Sequence, residues 1–547
     1  MHPVIRRALK HFSTAGLLLG TLLFAFSLSP SLLPRPTYSQ GIVSGLSFAA
    51  GYAMGFTAHW LWDYLHLQRP GPRVERGIKL AAAGICTVIA VIFLWQASAW
   101  QNSIRALMGV EEVSGVRPIS IALIAMAVFA LLLLLVRLFR LTFRFMARKM
   151  RRFVPHRVSN LLGIVAAAAL FWSVIDGVIF TLALRAADNS FQQLDELILD
   201  ELLPPTDPMK TGSEQSLVSW EALGGRGRRF VTQGPTGDDI GAFLGEDAMD
   251  PVRVYVGLSA ADTPAERAQL ALQELQRVGA FDRSILLLAT PTGRGWVDPA
   301  AQNTVEYLHR GDIATATVQY SYLPSHLALL TEGDYGAENA RALFTTVYDY
   351  WSALPEETRP RLYLHGLSLG SLNSDLSFDF YDIIDDPFHG ALWSGPPFRS
   401  ETWRTVTQER DRGTPAWLPT FRNGAVVRFM NQYQGLDEPD QAWGDFRIAY
   451  LQYGSDPITF FEPQILWREP EWMREPRAPD VLPELRWFPV VTMLQLLADL
   501  AVGRAPPGYG HSIAAEHYLD AWLALTEPEG WSEAELERLR ARFRQAR

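Results

Sequence analysis

Three short stretches carry residue types that together could do nucleophilic chemistry. RLYLHGLSLGSLNSD (361–375) sets Ser368 between Gly366 and Gly370, after a strand-like run and before a helix-like one. LQYGSDPITF sets Asp456 directly after another strand-like run. PPGYGHSIAAEHY sets His511 in a loop between Gly508 and Gly510 and a helix-like stretch. A serine hydroxyl attacks a carbonyl only when a base takes its proton, and the base needs an acid to orient it. The order Ser, Asp, His is the one expected when the serine sits on a sharp strand-to-helix turn of a parallel sheet. The expected chemistry is acyl transfer through an acyl-serine.

Each assignment has rivals. Asp437, Asp440 and Asp445 are alternative acids, but they lie in a polar loop and not at a strand end. His517 falls in the helix-like stretch after His511 and reads as structural. His365 belongs to a strand expected to be buried and reads as a satisfied core histidine. Acyl transfer also needs N–H donors for the oxyanion. One is expected from Leu369, after the nucleophile, and the second from TPTGRGW, through Thr292 or Gly293. That glycine-rich loop also fits a phosphate site or a plain turn.

The elements that must position these residues follow from periodicity. Apolar runs at 252–258, 284–290, 314–323, 361–367, 391–398, 425–433 and 447–454 read as seven strands, with helical stretches between the earlier ones. Several strands are apolar throughout, which predicts a mostly parallel sheet covered by helices on both faces. Between Asp456 and His511 lies a long segment rich in Trp, Arg and Glu. Residues 462–503 read either as a lid or interfacial insertion, or as a buried helix with a proline-rich loop.

The first 190 residues differ. Five runs, near 14–33, 43–65, 80–100, 119–139 and 160–185, read as long and apolar enough to span a bilayer as helices, which needs about 20 residues. The first also resembles a secretory signal, although no clear cleavage site follows. Lys and Arg mark the cytoplasmic loops. Arg6, Arg7 and Lys10 precede the first run. Arg69, Arg73, Arg76 and Lys79 follow the second. A cluster from Arg137 to Arg157 follows the fourth. This alternation predicts a cytoplasmic N-terminus and an extracytoplasmic C-terminal part. Asp176 reads as a packing or helix-end residue. Gly51 and Gly55 have the spacing of close helix packing, within the bundle or between two copies.

The chain has 547 residues and a net charge of −9. No basic face with interleaved aromatics suggests nucleic acid. The one cysteine, Cys86, excludes an intrachain disulfide and a cysteine metal site. The expected organisation is a transmembrane helical domain (1–190), an entry segment (191–250) and a catalytic α/β domain (251–547). No cofactor or metal is expected.

SLSPSLLPRP, WEALGGRGRRFV, LYLHGLSLGS, LWSGPPF, YLQYGSDPITFF, LRWFPVVTMLQLLADL and PGYGHS, spread over nearly the whole chain, resemble a bacterial family of membrane-anchored α/β-hydrolases. The resemblance implies an α/β-hydrolase domain behind a multi-helix anchor. Ser368, Asp456 and His511 fall on the positions of the hydrolase triad. The family has an acidic residue just before the serine, whereas Leu367 stands here. The resemblance implies no substrate. The expected function is an extracytoplasmic serine hydrolase, esterase- or lipase-like, in the plasma membrane. Its substrate would be an ester or thioester of a lipid or envelope component. An acyltransferase and a non-catalytic membrane scaffold are the alternatives.

Overall fold

The computed structural model describes residues 12–68, 71–113, 117–151, 155–173, 202–323, 335–437 and 441–545. Arg6, Arg7, Lys10, Arg69, Arg152, Asp176 and Asp440 lie outside the described residues. The chain divides into two units. The first comprises Met1–Arg185, Phe461–Glu475 and Pro479–Ala505. The second comprises Ala186–Phe460, Pro476–Ala478 and Pro506–Arg547.

In the first unit, helices run over Thr14–Ser27 (α1), Thr37–Tyr64 (α2), Pro72–Leu107 (α3), Pro118–Met150 (α4) and His156–Trp172 (α5). The expected span over 14–33 stops at Ser27, because Pro30 and Pro34 cannot continue a helix. At 14 residues, α1 is shorter than a bilayer-crossing helix needs. By contrast, α2, α3 and α4 have 28, 36 and 33 residues and are long and apolar enough to cross a membrane. The described part of the fifth expected run is α5, which is shorter. The basic residues expected in loops sit on helix ends: Arg73, Arg76 and Lys79 on the first turns of α3, and Arg137 to Lys149 on the last turns of α4. Apolar side chains point outward, among them Ile85, Val88 and Trp95 on α3 and Leu123, Leu131 and Leu134 on α4.

Helix α2 packs on α1 through small residues. A Cβ on Gly51 or Gly55 would lie 2.4 Å from the carbonyl oxygen of Leu19 or Ala15. This spacing therefore serves packing inside one chain. Most of the expected 462–503 insertion also belongs to the helical unit.

The second unit carries all seven expected strands: Val252–Val256 (β1), Ile285–Thr290 (β2), Ile313–Val318 (β3), Arg361–Leu367 (β4), Gly390–Ser394 (β5), Val427–Met430 (β6) and Arg447–Leu451 (β7). They form one sheet in the order β1-β3-β2-β4-β5-β7-β6, and every neighbouring pair is parallel. The pattern "mostly parallel" thus understates the observed sheet. Strand β4 is central, with Thr290 opposite Gly366 and Ser394 opposite Leu367. The carboxyl ends of β2, β4 and β5 therefore meet at one place, where ligands bind in open α/β sheets.

Helices follow in chain order from α5. They are Gly224–Thr232 (α6), Gly237–Leu244 (α7), Pro264–Arg277 (α8), Pro299–Leu308 (α9), Tyr335–Ser352 (α10), Leu369–Asp375 (α11), Phe380–Ile383 (α12), Glu401–Gln408 (α13), Val491–Val502 (α14), Ala515–Thr526 (α15) and Glu533–Gln545 (α16). Helix α14 belongs to the first unit and the others to the second. One large core joins Leu287, Tyr363, Leu392 and Leu451 of the sheet to Val305 of α9, Trp522 of α15 and Leu539 of α16. This packing takes in Leu367 and Leu451, the last residues of the strands that precede Ser368 and Asp456.

Candidate active site

Ser368 stands at the junction of β4 and α11 with φ 57° and ψ −123°. A non-glycine residue with positive φ outside the left-handed helical well is strained by about 1–3 kcal/mol. The surroundings enforce it. The Ser368 N–H donates to Ser394 O at 2.9 Å, and its carbonyl accepts from Ser371 N and Leu372 N. The flanking glycines are required by contact. A Cβ on Gly366 would fall 2.2 Å from the Gly370 carbonyl carbon, and one on Gly370 would fall 2.3 Å from Thr290 O.

Asp456 follows β7 and is fully buried. Its Oδ1 accepts the Ile458 N–H at 2.8 Å, and its Oδ2 accepts from Thr459 Oγ1 at 3.1 Å. The same Oδ2 lies 2.7 Å from His511 Nδ1. That carboxylate fixes the tautomer: Nδ1 carries the proton, and Nε2 presents its lone pair. Nε2 is buried and has no hydrogen-bond partner among the described residues. The two loops are joined twice more, by Gly510 N donating to Ser455 Oγ at 2.9 Å and Ala514 N donating to Tyr453 OH at 3.1 Å. Gly508 and Gly510 adopt φ +96° and +56°, which lets the loop turn tightly enough to aim the imidazole.

The serine turn and the imidazole each adjoin the dipeptide Ser394–Gly395. Ser394 O holds the Ser368 N–H, and the next residue, Gly395, faces the imidazole. A Cβ on Gly395 would lie 2.6 Å from His511 Cε1 and 2.8 Å from Nδ1. Gly395, φ +48°, is a site residue to which sequence reasoning gave no role, although it lies within LWSGPPF. A glycine directly after an apolar strand is its only local signal.

The rival residues have other occupations. His365 Nδ1 donates to Leu392 O at 2.8 Å, its ring lies against Tyr518 and Trp522, and burial lowers its pKa to about 4. His517 sits in α15 with Nδ1 2.6 Å from Tyr453 OH. Asp437 and Asp445 are exposed.

The expected oxyanion donors separate. Leu369 is the first residue of α11, where a backbone N–H has no intrahelical acceptor. No acceptor for it is present among the described residues. Thr292 departs from expectation: its N–H donates to Trp296 O at 2.9 Å, closing a turn whose next bond is Gly295 N to Thr292 O. An N–H already used in a turn does not serve an oxyanion. Gly293 lies inside that same turn.

A second carboxylate was not anticipated. Asp298 caps α9, accepting the Ala300 N–H at 3.0 Å. Burial pushes its pKa up to about 6, against the pull of that N–H, of Tyr518 and of the nearby His511. Among the described residues, no group of three or more His, Cys, Asp or Glu could hold a metal ion.

Residues 252–539 match the model of an alpha/beta-hydrolase family, and residues 28–235 match the model of that family's N-terminal region. The chain belongs to the alpha/beta-hydrolase family. The N-terminal match runs from just after α1 through α6, so family membership takes in both parts of the chain. No curated protein and no solved structure matches it.

Proposed function

We propose that this hydrolase-family protein is a membrane-anchored serine hydrolase. It would cleave an ester or thioester of a lipid or envelope component on the outer face of a bacterial plasma membrane. The observation that carries the reading is the His511–Asp456 hydrogen bond, with a buried, unpartnered Nε2 beside a strained serine turn.

In this reading, His511 Nε2 takes the Ser368 hydroxyl proton as Oγ bonds to the carbonyl carbon. The oxygen gains negative charge and is held by the Leu369 N–H. His511 then gives its proton to the departing alkoxide or thiolate, leaving acyl-Ser368. Water repeats the sequence from the other side, and the free acid leaves. Asp456 holds Nδ1–H throughout and stabilises the imidazolium that forms twice. Three apolar helices of spanning length support the anchor. An anchored enzyme and a membrane-dissolved ester share a surface, which favours a lipid-like substrate.

The test is labelling of the full-length protein in detergent by a fluorophosphonate probe. The wild type should label, and Ser368→Ala should not. Equal labelling of the two would overturn the nucleophile assignment. A wild type that does not label would instead favour a non-catalytic membrane scaffold.

A further inference from the structure

Helix α14 belongs to the helical unit, and it is built inside out for a helix in water. Its only polar side chains are Thr492, Gln495 and Asp499, spaced i, i+3 and i+7 on one face. Each is 1 % exposed. Every other residue of the helix is apolar. Leu494, Leu497 and Ala501 repeat the same spacing on another face. Leu497 is 40 % exposed, Ala501 is exposed and Leu494 is half-buried. A helix on the surface of a soluble protein does the reverse, with its apolar stripe on the core and its polar face in water.

The buried face is paired within the helical unit. Asp499 Oδ1 lies 2.7 Å from Arg35 Nε, and both side chains are fully buried. Ser31 Oγ donates to the same oxygen at 3.2 Å, and Gln495 Nε2 donates to Ser29 O at 3.1 Å. Just before the helix, Phe488 stacks on Phe26 with ring centroids 4.0 Å apart. Helix α14 thus packs on α1, on α2 and on the loop between them. In a soluble core such an ion pair is a weak source of stability. In a bilayer, ionisable side chains face the bundle interior and pair with one another. A helix surrounded by hydrocarbon needs its polar groups inward and its apolar groups outward, which is how α14 is arranged. Exposed Arg486 and Arg504 bracket the apolar run, as long basic side chains that reach for headgroups do.

The helix is too short to cross. Its 12 residues give about 18 Å against about 30 Å of hydrocarbon. The chain up to Phe460 and from Pro506 belongs to one folded α/β unit, so the segment between must enter and leave by the same face. Irregular backbone is tolerated at membrane depth only where protein covers it. Residues 28–35, which include Pro30 and Pro34 and form no helix, are all buried.

We propose that α14 is a re-entrant membrane helix, which enters the bilayer beside α1 and α2 and turns Leu494, Leu497 and Ala501 to the acyl chains. The inference rests on the membrane-anchored reading above and not on the catalytic one. It makes the α14 part of 462–503 a piece of the anchor and not a lid.

The test is nitroxide labelling of the full-length protein in nanodiscs of phosphatidylethanolamine and phosphatidylglycerol, with Cys86→Ser as background. Single-cysteine variants are Leu497→Cys, Ala501→Cys, Leu131→Cys on α4 and Asp238→Cys in the α/β unit. Collision of each label with oxygen, which concentrates in hydrocarbon, is compared with collision with a water-soluble nickel chelate. Leu131→Cys sets the lipid limit and Asp238→Cys the water limit. The oxygen-to-nickel ratio at Leu497→Cys and Ala501→Cys should exceed that at Asp238→Cys by about ten-fold, because the bilayer core holds no water. Two positions on one face keep the test decisive if either variant fails to fold. A ratio equal to that of Asp238→Cys overturns the inference. Low collision with both reagents also overturns it, because protein would then cover the face. In either case a lipid-like ratio at Leu131→Cys shows that α14 alone was misread. A water-like ratio at Leu131→Cys sinks the membrane-anchored reading and the inference with it.

Discussion

Gly395 adjoins both Ser394, which holds the proposed nucleophile's N–H, and the ring of the proposed base, His511. Alanine there would need a strained positive φ and would press its Cβ into the His511 ring. The ring can yield only by moving off Asp456 or away from Ser368. A displacement of about 1 Å costs on the order of 100-fold in rate. Gly395→Ala should therefore lower kcat about 100-fold while leaving KM for a short soluble ester nearly unchanged. A variant with wild-type kcat would remove Gly395 from the site. Ser368, Asp456 and His511 could be proposed from sequence because each is announced locally, by a glycine-flanked turn, a strand end or a glycine-flanked loop. Gly395 could not, because its place beside His511 comes from an approach between distant segments that no local pattern encodes. Thr292 failed for a related reason: sequence gives an N–H but not whether a turn has already used it.

At the scale of elements, all seven strands were readable because apolar runs of that length bounded by turns have few other solutions. Their ends were less so. The run at 314–323 closes as a strand at Val318, since pairing, not hydropathy, ends a strand. The helices show the opposite error. Helix α3 extends well beyond 80–100 because its amphipathic, basic first turns remain helical. The start of α3 and the end of α4 carry the densest Lys and Arg, and two antiparallel spans would put both at one face of a bilayer. That face should be cytoplasmic, and the hydrolase unit is external where the fifth expected run, 160–185, completes one further crossing. With Cys86 replaced by Ser, a single cysteine at Arg76 should react with an impermeant maleimide only after cell permeabilisation. A single cysteine at Asp238 should react in intact cells. Reaction of both on the same side would refute the proposed orientation.

Taken whole, the hydrolase unit buries ionisable groups of both kinds, and they oppose one another in acid. Burial lowers His309 to about 3 and His365 and His389 to about 4, from an ordinary 6.5. Below pH 6.5 the unfolded chain takes up protons that these native histidines refuse, so they make the unit less stable as pH falls toward 4. Asp298 acts in the other direction. Its folded pKa, about 6, lies above the ordinary 3.8, so the native state keeps a proton that the unfolded chain has released. That contribution is fully present below pH 3.8 and is lost as pH rises through 6. Asparagine resembles the protonated form and still caps a helix. Asp298→Asn should thus match the wild type near pH 4 and exceed its stability by about 2–3 kcal/mol at pH 7. Denaturant unfolding of the full-length protein across this range measures the difference. A variant less stable than wild type at pH 7 would mean that the folded protein holds Asp298 as a carboxylate. That result would place Asp298 among the groups that act on the imidazolium.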